Sequence, residues 1–158
     1  MEELQAKLEQ YIEKAIEVRF EFTTPEFTAG PVELHRALVE SQEVLTELEG
    51  YLSKSMRAKA LLERRVVKFK MVWQEAWDRA IAKVNKRPSL GEYATGKEKA
   101  SEANLATLEE ARQLRVQEEF LTFAVEAVDV IRLHYYGLDK VRQDIRKRLD
   151  MSQTDYYS

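Results

Sequence analysis

The stretch VELHRALVESQEVLTELEGYLSKSMRAKALLERRVVKFKMVWQEAWDRAIAKVN, residues 32–85, decides the fold. It contains no proline that would break a helix, and Gly50 is its only glycine. A single helix over this stretch would be on the order of 80 Å long. Apolar residues recur in alternating steps of four and three, which is the spacing of a coiled-coil seam. The predicted seam contains Leu34, Leu38, Ser41, Leu45, Leu48, Leu52, Ser55, Lys59, Leu62, Val66, Phe69, Trp73, Ala76 and Ala80.

Two polar residues, Ser55 and Lys59, interrupt this seam. A buried lysine is costly unless it is paired or reaches solvent. The interruption is consistent with a fixed register, a loosened segment or a change of partner helix.

The rest of the chain also has the composition of long helices. Its 158 residues include only five glycines and three prolines, and 34% of them are charged. An amphipathic helix is predicted from Glu2 to about Phe22, followed by a loop around Pro25 and Gly30. Pro31 is then well placed in the first turn of the long helix.

A further long helix is predicted after a turn near Gly91. Either Ser101 or Thr95 can cap its start, and Thr95 with Glu98 matches the spacing of a capping box. Gly137 is expected to kink or break this helix before a final amphipathic piece. Its predicted seam contains Val116, Phe120, Phe123, Ala127, Val130 and His134.

These elements predict an all-α fold: an elongated antiparallel helical hairpin with an additional N-terminal helix. The expected divisions are an N-terminal helix at 1–24, a hairpin at 31–150 and a flexible tail at 151–158. Phe69 and Trp73 should then lie opposite residues 112–120, and Leu45 and Leu52 opposite residues 134–145. Such a hairpin exposes much surface, so a homo-oligomer is expected. The residues assigned to the core or oligomer seam are Leu45, Leu48, Leu52, Leu62, Val66, Phe69, Trp73, Phe120, Phe123 and Val130.

Signals for catalysis and for cofactors are weak. The chain has no cysteine, and its two histidines, His35 and His134, lack metal-ligand spacing. The segment GEYATGKE resembles a phosphate-binding loop, but Glu98 stands where a Ser or Thr is needed and no strand precedes it. We therefore expect no catalytic residues, no metal, no cofactor and no small-molecule substrate; the protein is predicted not to be an enzyme.

The N-terminus is acidic and amphipathic, unlike a signal peptide. No apolar run approaches the length of a membrane span, so no membrane partner is expected. The absence of cysteine fits a cytoplasmic location, which would be the host cytoplasm if a phage encodes the protein.

The net charge of −3 conceals a strong segregation of charge along the chain. Residues 1–50 carry 4 basic and 12 acidic side chains, whereas residues 54–87 carry 11 basic and 3 acidic. Cationic tracks interleaved with aromatic faces are typical of single-stranded nucleic-acid binding. The predicted nucleic-acid-binding residues are Arg64, Arg65, Lys68, Lys70, Trp77, Arg79, Lys83, Lys86 and Arg87.

The same block has a purely structural explanation. Trp73 and Trp77 can both be packing residues, and the cations can pair with acidic residues across the hairpin. Trp77 is the better candidate for stacking if Trp73 is in the core. The acidic candidates are Glu109, Glu110, Glu118 and Glu119.

The order of features from about residue 33 to 148 resembles that of the phage recombination mediators of the UvsY type. A basic end of a long helix is followed by RPSLGEYATGKEKASE and then by LTFAVEAVDVIRLHYYGLDKVRQDI. Within the second segment the resemblance rests on Ala124, Ala127, Asp129 and Ile131, and on the Gly-Leu pair at 137–138.

The resemblance implies a ring-like helical oligomer that binds single-stranded DNA, loads a RecA-like recombinase and helps displace a single-strand-binding protein. It implies DNA contacts near the end of the first long helix, where Lys68, Lys70, Arg79, Lys83, Lys86 and Arg87 lie here. The N-terminal helix is not part of the family core, and it could serve in oligomerisation or partner binding. The alternative function is a structural or adaptor coiled coil that acts only through protein–protein assembly.

Overall fold

A computed structural model describes residues 2–20, 30–87 and 95–155, and all regular structure in these ranges is α-helical. The predicted all-α class is confirmed. Pro31 opens the long helix, where its missing N–H costs nothing, and the Glu33 carboxylate accepts a hydrogen bond of 3.1 Å from the backbone N–H of Gly30. The helices are α1 (Glu2–Glu17), α2 (Pro31–Lys86), α3 (Gly96–Ala106) and α4 (Leu108–Asp155).

Helices α2 and α4 pair in an antiparallel hairpin. Leu34, near the start of α2, shares a buried cluster with Leu149, near the end of α4. About four turns further along α2, the carboxylate of Glu49 accepts a hydrogen bond of 2.9 Å from the Tyr135 hydroxyl. As the residue number increases along α2, the residue number of the contacting position on α4 decreases. The two helices are therefore antiparallel, as the predicted hairpin requires.

The chain forms two compact units. One contains Met1–Ala58 and Ala124–Ser158, and the other contains Lys59–Phe123. In the first unit, α1 packs on the early part of α2 and the later part of α4. The second unit consists of the remaining part of α2, α3 and the beginning of α4.

Helix α1 completes a three-helix core in the first unit. Ala15 is fully buried in a cluster with Leu48 of α2 and Ile131 of α4. One turn earlier, the ring of Tyr11 lies against that of Tyr51, with 6.4 Å between the ring centroids. The apolar face predicted for the N-terminal helix therefore has a partner within the same chain.

Helix α1 ends at Glu17, earlier than the predicted end near Phe22, a residue outside the described ranges. The carbonyl of Val18 accepts a hydrogen bond of 2.8 Å from Nε2 of His134. Phe20 then packs on the cluster formed by the start of α2 and the end of α4. These contacts outweigh continuation of the helix, because they satisfy a terminal carbonyl and bury an aromatic ring.

A capping box begins α3. The Thr95 hydroxyl accepts a hydrogen bond of 3.3 Å from the Glu98 amide, and the Glu98 carboxylate accepts one of 2.8 Å from the Thr95 amide. This bond from the backbone holds the pKa of Glu98 below its usual value. Of the two predicted caps, Thr95 is the one used. The predicted turn near Gly91 lies outside the described residues.

The second arm of the hairpin is interrupted at Thr107 and not at Gly137. The amide and the hydroxyl of buried Thr107 both donate to the Ala103 carbonyl, at 3.1 and 2.9 Å. Helix α4 then continues through Gly137 to Asp155, so residues 151–155 of the predicted tail are helical. Packing on both sides of the glycine outweighs its low helix propensity.

The buried stripe of α4 is shifted from the predicted one. Val130 is 41% exposed, whereas Ile131 is fully buried. Phe120 and Phe123 are half-buried, whereas the smaller residues Ala124 and Ala127 are fully buried. The buried residues of α3, α4 and their junction are Ala103, Thr107, Gln117, Ala124, Ala127, Val128, Ile131, Ile145 and Leu149.

The seam of α2 follows the predicted positions more closely. Its residues Leu45, Leu48 and Leu62 are buried, and Leu52, Val66, Phe69 and Trp73 are half-buried. At the interruption, Ser55 is fully buried and its hydroxyl has no hydrogen-bond partner in the described ranges. Lys59 is half-buried, and its Nζ lies 3.6 Å from a carboxylate oxygen of Glu63 on the same helix.

Gly50 and Gly137 are the glycines inside long helices, and a Cβ added at either would meet no atom within 4 Å. Replacing either with alanine should raise the free energy of unfolding by about 0.5–1 kcal/mol, since alanine loses less backbone entropy on folding. Urea unfolding measures this. Gly96→Ala, at the first position of α3, is the control, and its expected gain in the free energy of unfolding is smaller. If Gly137→Ala lowers the free energy of unfolding instead, the helix needs glycine at that position.

The Tyr135–Glu49 hydrogen bond should make stability depend on alkaline pH. Donation to the Glu49 carboxylate raises the pKa of Tyr135. Because the pKa is higher in the folded state, the hydrogen bond contributes its full stability at pH values below the tyrosine pKa of the unfolded state, about 10. That contribution is lost as the pH rises through the pKa of the folded state. Tyr135→Phe should therefore cost about 0.5–1 kcal/mol at pH 7 and progressively less above pH 10.

Unfolding experiments across pH 7–11 test this expectation. Tyr136→Phe is the matched control, because Tyr136 is the neighbouring tyrosine and is 59% exposed. A constant difference between wild type and Tyr135→Phe across this range would contradict it.

Candidate nucleic-acid interface

Five cationic side chains form a row along one side of α2 in the second unit. The intervals between them are four, eleven, four and three residues, each close to a whole number of 3.6-residue turns. From first to last the row covers about 33 Å of helix. All five are exposed: Arg64, Lys68, Arg79, Lys83 and Lys86. We call them the basic row.

The basic row consists of two groups with an acidic residue between them. Arg65 is exposed and lies beside Arg64 and Lys68 at the edge of the row. Glu75 shares the same side of the helix, and its carbonyl accepts a hydrogen bond of 3.2 Å from Nε of Arg79. The cationic potential is therefore strongest at the two ends of the row.

Two of the predicted nucleic-acid residues lie on another side of α2. Lys70 follows Lys68 by two residues, and Trp77 precedes Arg79 by two, which places each about 160° away around the helix. Trp77 is half-buried, as is Trp73, and their ring centroids are 6.1 Å apart. The structure does not bring the tryptophans and the basic row onto one surface.

Arg87, just past the end of α2, forms an ion pair with Glu102 of α3. Two of the acidic residues suggested as partners for the cations interact within α4 instead. Glu119 pairs with Arg115 at 3.3 Å. Glu109 accepts a hydrogen bond of 3.1 Å from Gln113.

A surface groove of about 280 Å³ lies between α2 and α4 in the second unit. Gln117 is only 7% exposed there, and its side-chain Oε1 has no hydrogen-bond partner among the described residues. The sequence placed Phe69 and Val116 in seams and Phe69 opposite residues 112–120, which agrees with this groove. It did not single out Gln113 or Gln117, because no local sequence signal marks the burial of a glutamine. The groove is lined by Phe69, Glu109, Arg112, Gln113, Val116 and Gln117.

Other kinds of site find little support in the described ranges. They contain no group of three His, Asp or Glu residues placed to bind a metal. His134 bonds to a backbone carbonyl, and Lys97 and Glu98 of the GEYATGKE segment are exposed at the start of α3. None of the described helices has the length and apolarity needed to cross a bilayer.

No protein-family model matches this chain, and neither does any curated protein or solved structure. The resemblance to the UvsY-type mediators therefore stays a prediction. Functional inference rests on the residues and their placement.

Proposed function

We propose that this protein is a non-enzymatic, oligomeric helical protein that binds single-stranded DNA and assists recombination. The basic row is the observation that supports the proposal. Five exposed cations, in two groups on one side of a continuous helix, can neutralise phosphates of a strand lying along it, and the release of counterions supplies most of the affinity of such a contact.

A single strand suits the basic row better than a specific duplex site. Its members are lysines and arginines, which can contact phosphates whatever the base sequence. A single strand needs only a cationic track and nearby faces for its bases. A RecA-like recombinase as protein partner follows from the resemblance to the phage mediators.

Self-association is part of the proposal. In the first unit, α4 exposes an apolar stripe at intervals of three, four and four residues, formed by Val130, Leu133, Gly137 and Val141. Leu133 is 71% exposed, and nearby Tyr136 is 59% exposed. Contiguous exposed apolar side chains favour a protein partner, and a second copy is the simplest one.

The alternative function is a structural or adaptor coiled coil. The segregation of charge favours it, because an acidic segment with a net charge of −8 at residues 1–50 complements a basic one of +8 at residues 54–87. In that case the basic row would contact acidic protein surfaces and would have no use for nucleic acid.

Fluorescence anisotropy with a labelled 30-nucleotide strand distinguishes the two functions. If the basic row contacts about five phosphates, log K should fall against log salt with a slope of about −3.5. Replacing Lys68, Arg79 and Lys83 with alanine should reduce the magnitude of that slope by about 2, since three contacts are lost.

The matched control replaces three exposed cations of the first unit, Arg36, Lys140 and Arg146, with alanine, and should keep the wild-type slope. A single-residue pair gives a second control: Lys70→Ala should weaken binding less than Lys68→Ala. If wild type fails to bind at low salt, the DNA-binding function is wrong and the adaptor function is favoured.

Light scattering tests self-association. Wild type should have a mass above that of the 18.5 kDa chain, and Leu133→Glu should lower it, because a charge would be buried in the contact. Val32→Glu is the control, since Val32 is 75% exposed and lies away from α4's stripe in sequence. A monomeric wild type would refute the oligomer.

A further inference from the structure

We propose that the groove beside Phe69 binds a nucleobase of the single strand whose phosphates lie on the basic row. This inference rests on the proposed function, because it takes the basic row as the phosphate contact. It adds a base-binding site that the charges alone do not provide.

The groove lies beside the basic row. Phe69 lines the groove and directly follows Lys68, a member of the basic row. Arg65 is one helical turn before Phe69, so the two side chains are neighbours on the helix surface. A strand with phosphates at Lys68 therefore passes the mouth of the groove, within reach of a base turned inward.

The groove combines an aromatic ring with polar side chains. Phe69 contributes the ring, and the side chain of Val116, which is 43% exposed, adds apolar surface. The other lining residues are polar or charged, and they include two glutamines whose amides both donate and accept hydrogen bonds. A planar heterocycle with polar edges can use both kinds of surface, because it can stack on the ring and bond to an amide.

The groove lining carries one charge of each sign, on Glu109 and Arg112. The Glu109 carboxylate also accepts a hydrogen bond from Gln113. Because the two charges offset one another, the lining has no net positive charge to compete with the basic row for phosphates. The backbone of the strand is therefore favoured on the side of Lys68, and an uncharged base suits the groove.

Gln117 brings an unpaired acceptor to the groove. Its Oε1 is buried without a hydrogen-bond partner in the described part of the chain, although unpaired buried acceptors are costly. The terminal torsion of a glutamine is broad, so its amide can turn toward a donor in the groove. The N–H on the edge of a base is such a donor, and it would satisfy this acceptor.

The test compares two probes with equal numbers of phosphates: a 30-nucleotide thymidine strand, and a 30-unit strand of abasic sugar. Competition anisotropy gives the ratio of their affinities, and the salt slope is measured for each. Wild type should prefer the thymidine strand by about tenfold or more, the contribution of one stacked base. The salt slopes for the two strands should be equal.

Two variants locate the preference. Phe69→Leu keeps apolar volume but removes the aromatic face, and should bring the affinity ratio to within about threefold of one while leaving abasic-strand binding unchanged. Gln117→Leu should also reduce the ratio, yet raise the melting temperature, since an unpaired buried acceptor is removed. If circular dichroism shows that Phe69→Leu does not fold, the affinity ratio measured with Gln117→Leu tests the base site.

Trp77→Leu is the control and should keep the wild-type ratio. Equal affinity of wild type for both strands, with steep salt dependence, would overturn the base site and leave the phosphate contact intact. The base site would also be overturned if both Phe69→Leu and Gln117→Leu kept the wild-type ratio of affinities for the two strands. A ratio that decreased only in Trp77→Leu would have the same meaning. Absence of binding to either strand would refute the DNA-binding function itself.

Discussion

Packing of α2 against α4 is the constraint on which the rest of the structure depends. Leu34 of α2 shares a buried cluster with Ile145 and Leu149 of α4, and Leu48 shares another with Ile131 and with Ala15 of α1. Because this packing fixes which side of α2 is covered, the cations of the basic row remain exposed, where water can solvate them. Phe69 is half-buried and lines the groove beside α4.

Sequence periodicity predicted α2 well because its seam is marked by leucines over many turns. It was less accurate on α4, where the predicted seam included fully buried Ala127 but also Val130, which is 41% exposed, and omitted fully buried Ala124 and Ile131. A pattern based on hydrophobicity gives an alanine such as Ala124 too little weight to reveal this shift. The break predicted at Gly137 was wrong for a related reason: packing with another helix is not visible in local propensity. The cap at Thr95 was predictable because it involves four consecutive residues only.

Less of the candidate site could be predicted. The cations are evident from composition, and their alignment follows from helix geometry once α2 is known to be continuous. The separation of Trp77 from the basic row follows from the same geometry. The predicted hairpin placed Phe69 opposite residues 112–120, and the groove does bring Phe69 beside Arg112, Val116 and Gln117. The cavity itself could not be predicted, because it depends on how the side chains of the two helices pack. A buried glutamine acceptor likewise becomes apparent only when its surroundings are known.

The antiparallel pairing has a consequence for how the chain folds. The partners Arg87 and Glu102 are 15 residues apart, Glu49 and Tyr135 are 86 apart, and Gln42 and Arg142 are 100 apart. The entropy lost on closing a loop grows with its length, so contacts nearest the connection between α2 and α3 form at the lowest cost. We expect the hairpin to close from there toward Leu34 and Leu149. Helix α1, whose buried face needs both arms in place, should then dock last.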